Sequence, residues 1–418
     1  MKRKVLEDFF TPIKKLNPIS DKCRKCGEIL LDKNSEHSCK KKEPVSEPIK
    51  PKKSLPDSFQ ILMSTCQRST KANFHLEYLG KLQGKHIWKY LYENPLNSKY
   101  KSKVHKLKQN SQDPSEILLT FTTNHIGTPN DFYGKTSKPS LSPGILKSVL
   151  QKAVRRKNRN SCLKTALQLS CNCGIKELTR RLCVIVLEDT ILHKDFPLLV
   201  WCMGVDDYEY SKEMFESIMQ IVSDLAEVEY VDILEDNIKV DVHKLWKNSG
   251  ELVKSMLVRG FYRGMGGDVA MLNGFAETWH KRLQEDKWVE VLEGVYKGLV
   301  LFKPEDVAEE FTMNDVLIEG IDHHCTNIIE YLQEIPEILS NYPFCSNHSL
   351  PDYLSSALWN FRSSINHHKP INEHPIASSL LALQFKSKPL PDEFFITHVL
   401  PHIDSFSINE LNKRFKRL

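Results

Sequence analysis

From about residue 144 to the end of the chain, apolar residues recur every three to four positions, the spacing of one face of an α-helix. Ser142 and Pro143 form an N-cap and first-turn pair, which predicts the start of the first of these helices. The same pattern predicts further helices over 161–173, 175–192, 213–228, 252–262, 269–283 and 327–339. Only 229–233 and 298–302 have the character of short strands. The predicted fold class is therefore mainly α, with a multi-helix body.

Charge is distributed unevenly along the 418 residues. Residues 1–60 carry 15 Lys/Arg against 9 Asp/Glu, residues 61–160 carry 18 against 5, and the remaining residues carry 25 against 39. A basic front followed by an acidic body predicts that the front contacts a polyanion. The alternative is a solvated, lysine-rich arm without a specific ligand.

Composition divides the chain into five segments. They are a motif-bearing arm at 1–20, a Cys/His cluster at 21–40, a disordered Lys/Pro/Glu/Ser linker at 41–57, a basic, aromatic-containing segment at 58–143, and the helical body at 144–418. No apolar run approaches the roughly 20 residues of a membrane span, and the first residues lack the apolar core of a secretory signal. We therefore expect an intracellular protein without membrane association. Its eleven unevenly spread cysteines then indicate reduced thiols or metal ligands.

The N-terminal arm carries an aliphatic residue followed by two aromatic residues, Leu6, Phe9 and Phe10. One 3₁₀ turn projects these three side chains to one side, where they can fill a hydrophobic pocket. The motif resembles the PCNA-interacting motif of sliding-clamp partners, although Arg3 stands where that family prefers glutamine. The resemblance implies binding to the sliding clamp (PCNA), weakened by the loss of the glutamine's hydrogen bonds. The alternative is that both phenylalanines dock on the protein's own core.

Four potential metal ligands follow at Cys23, Cys26, His37 and Cys39. Three thiolates and an imidazole suit a tetrahedral zinc site, whose bound metal would supply the folding energy of a segment with few apolar residues. Four unconnected residues in a disordered arm are the alternative. The pattern resembles the C2HC ubiquitin-binding zinc fingers of DNA-repair proteins. However, His37 and Cys39 are closer together than in that family, which weighs against ubiquitin as a partner.

The stretch 150–192 joins a basic helix to a helix that ends in an acidic pair. It resembles the helical region C-terminal to the ATPase core of clamp-loader-related proteins, notably the Werner-helicase-interacting ATPases. The matching residues are Val154, Arg155, Arg180, Arg181, Leu182, Ile185, Glu188 and Asp189. The sequence has no G-x4-G-K-[ST] phosphate-binding loop, so the resemblance implies an oligomerising or DNA-facing part without nucleotide hydrolysis. The alternative is an ordinary helical bundle.

The segment 81–108 interleaves lysines with aromatic residues. Lysines make flexible contacts with phosphates, and aromatic rings stack on exposed bases. We therefore predict a DNA interface with weak sequence dependence. Its predicted residues are Lys81, Lys85, Trp88, Lys89, Lys101, Lys103, Lys106 and Lys108, together with Arg155, Arg156, Lys157 and Arg159.

Two hypotheses for function remain open. The favoured one is a nuclear DNA replication and repair factor without enzymatic activity, which binds zinc, the sliding clamp and DNA. The second is a metal-dependent nuclease recruited by the same arm, which requires the fold to bring its candidate residues together. Those candidates are Glu188, Asp189, Asp268, Asp322 and His323. The glycine-rich stretch 259–268 lacks the Lys-Ser/Thr of a phosphate loop and predicts a hinge between two helices.

Overall fold

The computed structural model describes residues 69–415, except 96, 109–115, 130–140, 235–237, 263, 322–325, 343–348, 365 and 381–391. The chain divides into two units, Met1–Gln67 and Arg68–Leu418. The first unit, with the clamp motif, the Cys/His cluster and the linker, lies outside the described residues. These three predictions therefore stay predictions.

The described part begins with a β-sheet. Its strands are β1 (Ser69–Leu82), β2 (Lys85–Leu91), β3 (Tyr100–Lys101), β4 (His105–Lys108) and β5 (Glu116–Thr123). The order is β2-β1-β5-β3, and β4 also pairs with β5. β1 and β5 are parallel, with Phe74 opposite Phe121, and the other pairs are antiparallel. Because side chains alternate along a strand, one face buries Phe74, Leu76, Leu119 and Phe121 in the core.

Helices dominate the rest of the described chain. They are α1 (Pro143–Arg155), α2 (Arg159–Cys173), α3 (Ile175–Asp189), α4 (Phe196–Gly204), α5 (Lys212–Glu227), α6 (Val242–Asn248), α7 (Glu251–Phe261), α8 (Gly266–Arg282), α9 (Asp286–Gly294), α10 (Thr326–Gln333), α11 (Pro336–Asn341), α12 (Leu350–Ser364), α13 (Pro375–Ser378) and α14 (Leu400–Phe415). Shorter turns of helix are the 3₁₀ segments Pro304–Val307, Met313–Asp315, Ile318–Gly320 and Ile371–Glu373 and the π-helix Phe395–Val399. A parallel pair, β6 (Tyr230–Val231) and β7 (Lys369–Pro370), completes the elements.

The prediction of a mainly α fold is confirmed. α1 begins where Ser142 and Pro143 predicted, with the Ser142 side chain accepting a hydrogen bond from the Ile145 amide. The helix predicted over 327–339 is divided into α10 and α11 at Pro336, because proline removes an internal hydrogen bond and is favoured in a first turn. Residues 298–302 form no strand, so that prediction was wrong, whereas β6 occupies part of 229–233.

Two apolar clusters hold these elements together. The larger one joins the inner face of the sheet to the helices, with β1 and β2 against α4 and with β2 against α5. The smaller one gathers Ile328, Leu354 and Phe395 from α10, α12 and the π-helix. Among the described helices, none is both long and apolar enough to cross a membrane. The sheet therefore rests on the helical body through the face that carries Phe74 and Phe121.

Candidate nucleic-acid interface

Strand register places four lysines on one face of the sheet. Lys71 and Lys106 both lie opposite Leu118, and Lys101 lies opposite Thr122. Directly paired residues on neighbouring strands point to the same side, and side chains alternate along each strand. Glu77 of β1 lies on the same side as Lys71, because the two residues are an even number of positions apart. Lys89 of β2 is paired with Glu77 and therefore points to this side as well. We call this side, which lies opposite the core, the outer face and define it by Lys71, Lys89, Lys101 and Lys106.

The lysines of the outer face are exposed. Within the described chain, none of them forms an ion pair with a carboxylate, and the same holds for the exposed Lys103 in the loop between β3 and β4. Glu77 is the cross-strand neighbour of Lys89 on this face, but the four lysines outnumber it, and an ammonium group outside an ion pair keeps most of its attraction for an external anion. Lys108 ends β4, and its side chain lies outside the described part. The outer face therefore presents net positive charge to the surroundings.

The spacing of these lysines fits an extended anion. Lys89 and Lys101 lie on strands at the two ends of the β2-β1-β5-β3 order, three strand spacings or roughly 14 Å apart. The partners of Lys101 and Lys106 on β5 are four residues apart, which is roughly 13 Å along the strand. A duplex carries one phosphate per roughly 3.4 Å of each strand, so a surface of this size spans several phosphates.

The centre of the outer face is a neutral hydrogen-bonded cluster. Asn73 Nδ2 donates to Thr122 Oγ1 at 2.9 Å, and His75 Nδ1 lies 2.9 Å from the same oxygen. All three side chains are buried, and burial lowers the pKa of His75. The imidazole therefore adds no charge near neutral pH, and the positive potential comes from the surrounding lysines.

Three residues predicted to bind DNA are instead directed toward the helical body. Lys81 Nζ lies 3.8 Å from a Glu216 oxygen, and Lys85 Nζ lies 3.6 Å from an Asp224 oxygen. Trp88 is only 7% exposed, and its indole N–H donates to the Ser217 hydroxyl. This corrects the expectation for Trp88, because a ring packed in the core is not available to stack on a base.

The arginines around the end of α1 are engaged in ion pairs. Arg155 Nε donates to Asp189 at 2.5 Å, and its Nη2 lies 3.4 Å from Glu188. Arg156 pairs with Glu319. Arg159 pairs with Asp306 at 2.7 Å and with Glu227 at 3.2 Å. These three guanidinium groups are neutralised by carboxylates of the body, so they connect elements of the fold and do not extend the lysine surface. Lys157, half-buried between α1 and α2, forms no ion pair with a described carboxylate.

The nuclease candidates do not form a metal site within the described residues. Glu188 and Asp189 share Arg155, and burial together with Asp189 raises the pKa of Glu188. Asp268 lies in the first turn of α8, which follows α7 after a short link. Asp322 and His323 lie outside the described residues. No group of three His, Cys, Asp or Glu side chains in the described chain is placed to hold a metal ion.

Comparison of the chain with protein-family models, with curated proteins and with solved structures found no match. Function is therefore inferred from the residues of this chain. The outer face is the part of the predicted interface whose lysines are exposed and free of carboxylate partners. Lys71 was not among the predicted residues, because it precedes the lysine-rich segment 81–108 and only the pairing of β1 and β4 with β5 places it on the same face as Lys106.

Proposed function

We propose that the protein is a DNA-binding accessory factor of replication and repair, acting in the nucleus, and that the outer face of its sheet contacts DNA. The supporting observation is the set of exposed lysines that strand register gathers on this face and that form no ion pair with a described carboxylate. Lysine contacts phosphates as a flexible point charge and reads base edges poorly. Binding should therefore depend strongly on salt and weakly on DNA sequence.

The proposal is tested by DNA binding of an outer-face variant, in which Lys89, Lys101 and Lys106 of that face and Lys103 of the adjoining loop are replaced by alanine. A matched control replaces four exposed lysines of the helical body, namely Lys239, Lys244, Lys287 and Lys297. The first variant should bind every DNA sequence about tenfold more weakly or worse, while the control should bind as the parent does. Equal affinities of the two variants would overturn the proposal.

We propose that the N-terminal arm recruits this factor to the sliding clamp through Leu6, Phe9 and Phe10. The support is the spacing of an aliphatic and two aromatic residues, which suits one hydrophobic pocket. Replacing Phe9 and Phe10 with alanine should remove about 3–5 kcal/mol of clamp binding if both rings are buried in the complex. Calorimetric titration of full-length protein with PCNA measures this, and an unchanged affinity would refute the role.

We also propose that Cys23, Cys26, His37 and Cys39 bind one zinc ion. The support is the donor set, since three thiolates and an imidazole are ligands that zinc prefers. Elemental analysis of the purified full-length protein should find one zinc per chain. Cys26→Ser should release that zinc without changing the helical circular dichroism of the body, and a parent protein without zinc would exclude the site.

A further inference from the structure

A cavity of 620 Å³ lies on the side of the β1–β2 hairpin away from the outer face. Its walls are the hairpin, helix α5, the two residues just before α4 and residues 301–304. Trp88 and Tyr90 line it, whereas their neighbour Lys89 points to the outer face. Its volume falls in the range of small-molecule sites, roughly 300–1,000 Å³.

One wall of this cavity is apolar and aromatic. Trp88 and Tyr90 of β2 face Ile221 of α5 and the loop residues Leu301 and Phe302. The Trp88 indole N–H is fixed by the Ser217 hydroxyl and the Tyr90 hydroxyl donates to Asp195 at 2.8 Å, so both rings are held in place. Rigid aromatic and aliphatic surfaces of this kind accommodate a flat heterocycle.

The carboxylates inside the cavity already have partners. Glu216 lies 2.9 Å from His86 Nε2, and Asp224 accepts a hydrogen bond from Gln220 at 2.8 Å. The same two carboxylates contact the ammonium groups of Lys81 and Lys85. Buried carboxylates held by cations and donors in this way repel an incoming anion much less than free ones do.

Lysines predominate at the rim of the cavity. Lys194, just before α4, and Lys303, at the start of a 3₁₀ turn, are both exposed and line the cavity. Neither forms an ion pair with a described carboxylate. With Lys81 and Lys85, four lysines surround an interior with three carboxylates, and two of those carboxylates are neutralised by Lys81 and Lys85. Four lysines against three carboxylates leave the lining with a net charge of +1, which favours an anionic ligand.

We propose that this cavity binds a nucleotide, with its base against the wall formed by Tyr90, Leu301 and Phe302 and its phosphate at the rim formed by Lys194 and Lys303. An aromatic wall beside unpaired cations matches a ligand that combines a flat heterocycle with a phosphate. The ligand is either a free nucleotide or the 5′-terminal nucleotide of a DNA strand. The site lies apart from the outer face and does not depend on it.

The test is isothermal titration of the full-length protein with adenosine, inorganic phosphate, adenosine 5′-monophosphate and a short oligonucleotide with or without a 5′ phosphate. The monophosphate should bind at least about tenfold more tightly than either adenosine or phosphate alone, because only it engages wall and rim together. Stronger binding of the phosphorylated oligonucleotide than of the free nucleotide identifies a DNA end as the source, and the reverse identifies a free nucleotide. Either result supports the proposal that the cavity binds a nucleotide.

Two variants locate the site. Lys194→Ala with Lys303→Ala should weaken monophosphate binding about tenfold or more, whereas Lys287→Ala with Lys297→Ala, which changes two exposed lysines outside the cavity, should leave it unchanged. The outer-face variant should also keep monophosphate binding, so this test fails or succeeds independently of the DNA interface. No saturable binding of the monophosphate at millimolar concentration, or equal binding by the rim variant, would overturn the proposal.

Discussion

Gly204 shows how closely the sheet and the helices approach each other at a single residue. It ends α4 beneath the ring of Phe121, and a Cβ added there would lie 2.2 Å from the ring carbon Cζ. Phe121 is fully buried, so its ring has little room to move. This close approach could not be predicted from the sequence, because it depends on how β5 packs on α4.

We expect Gly204→Ala to destabilise the protein by about 1–3 kcal/mol through overpacking. Gly294→Ala is the matched control, since Gly294 also ends a helix but an added Cβ meets no atom within 4 Å. That control should be neutral or slightly stabilising, because alanine favours helix more than glycine does. Urea unfolding measures both, and equal midpoints for the two variants would contradict the packing.

Glu213 links the start of α5 to the segment before it. Its carboxylate accepts hydrogen bonds from the Thr128 hydroxyl at 2.6 Å and from the Thr128 amide at 3.0 Å. Burial disfavours the charged form, but these hydrogen bonds outweigh burial and hold the pKa of Glu213 at about 2. The ionised carboxylate therefore stabilises the folded state at neutral pH.

Glu213→Gln should lower the unfolding free energy at pH 7 by about 1–2 kcal/mol, a range that allows for solvent screening. The pKa of Glu213 is lower in the folded state than in the unfolded state. The parent's excess in unfolding free energy over Glu213→Gln is therefore complete above the unfolded pKa, near 4.3, and disappears as pH falls toward 2. Denaturant titrations from pH 7 to pH 2 test this, with the exposed Glu209→Gln as the control. A difference that stayed constant over this range would rule out the carboxylate's role.

At the scale of elements, helices with recognisable ends were predictable and the sheet was not. Ser142 with Pro143 and the glycine at 174 mark helix boundaries by local chemistry, and both boundaries are present. α4 was missed because it is buried on all sides and therefore has no amphipathic period. The sheet was missed because β1 buries polar residues such as Asn73 and His75 on its second face, which removes the alternation of a half-exposed strand.

The pair Arg155–Asp189 connects the end of α1 to the end of α3. Both side chains are nearly buried, and Asp189 keeps Gln151 as a second donor at 2.6 Å. Removing the guanidinium leaves a buried carboxylate without its cation, so Arg155→Ala should cost about 2–4 kcal/mol of stability. Arg180→Ala, at an exposed position on the same helical region, should change stability by less than about 0.5 kcal/mol.

Arg155→Ala and its control Arg180→Ala also distinguish a structural role of Arg155 from a role in DNA binding. If Arg155 serves the fold, Arg155→Ala should bind DNA with the parent's affinity at a temperature where it is fully folded. Thermal unfolding and DNA titration on one sample provide both values. A folded Arg155→Ala with weakened DNA binding would contradict the assignment of this arginine to the body.

At the scale of the whole molecule, the sequence showed that the first 160 residues are basic. It could not show which of their cations stabilise the fold and which are exposed to an external anion. The fold uses Arg155, Arg156 and Arg159 in ion pairs with acids distant in sequence, and turns Lys81 and Lys85 toward a cavity. Those partners come together only through tertiary packing, so no local pattern reveals them. Among the described residues, the lysines of the outer face are exposed and form no ion pair with a carboxylate, and the central claim of DNA binding rests on them.

The most direct test of that claim is the salt dependence of DNA affinity for the outer-face variant, in which Lys89, Lys101, Lys103 and Lys106 are alanine. Each phosphate contact contributes about 0.7–0.9 to the slope of log affinity against log salt, so losing four contacts should flatten the slope by about 3. The control with four body lysines replaced should keep the parent's slope. A variant that retained the parent's slope would show that these lysines contact no phosphate and that DNA binds elsewhere or not at all.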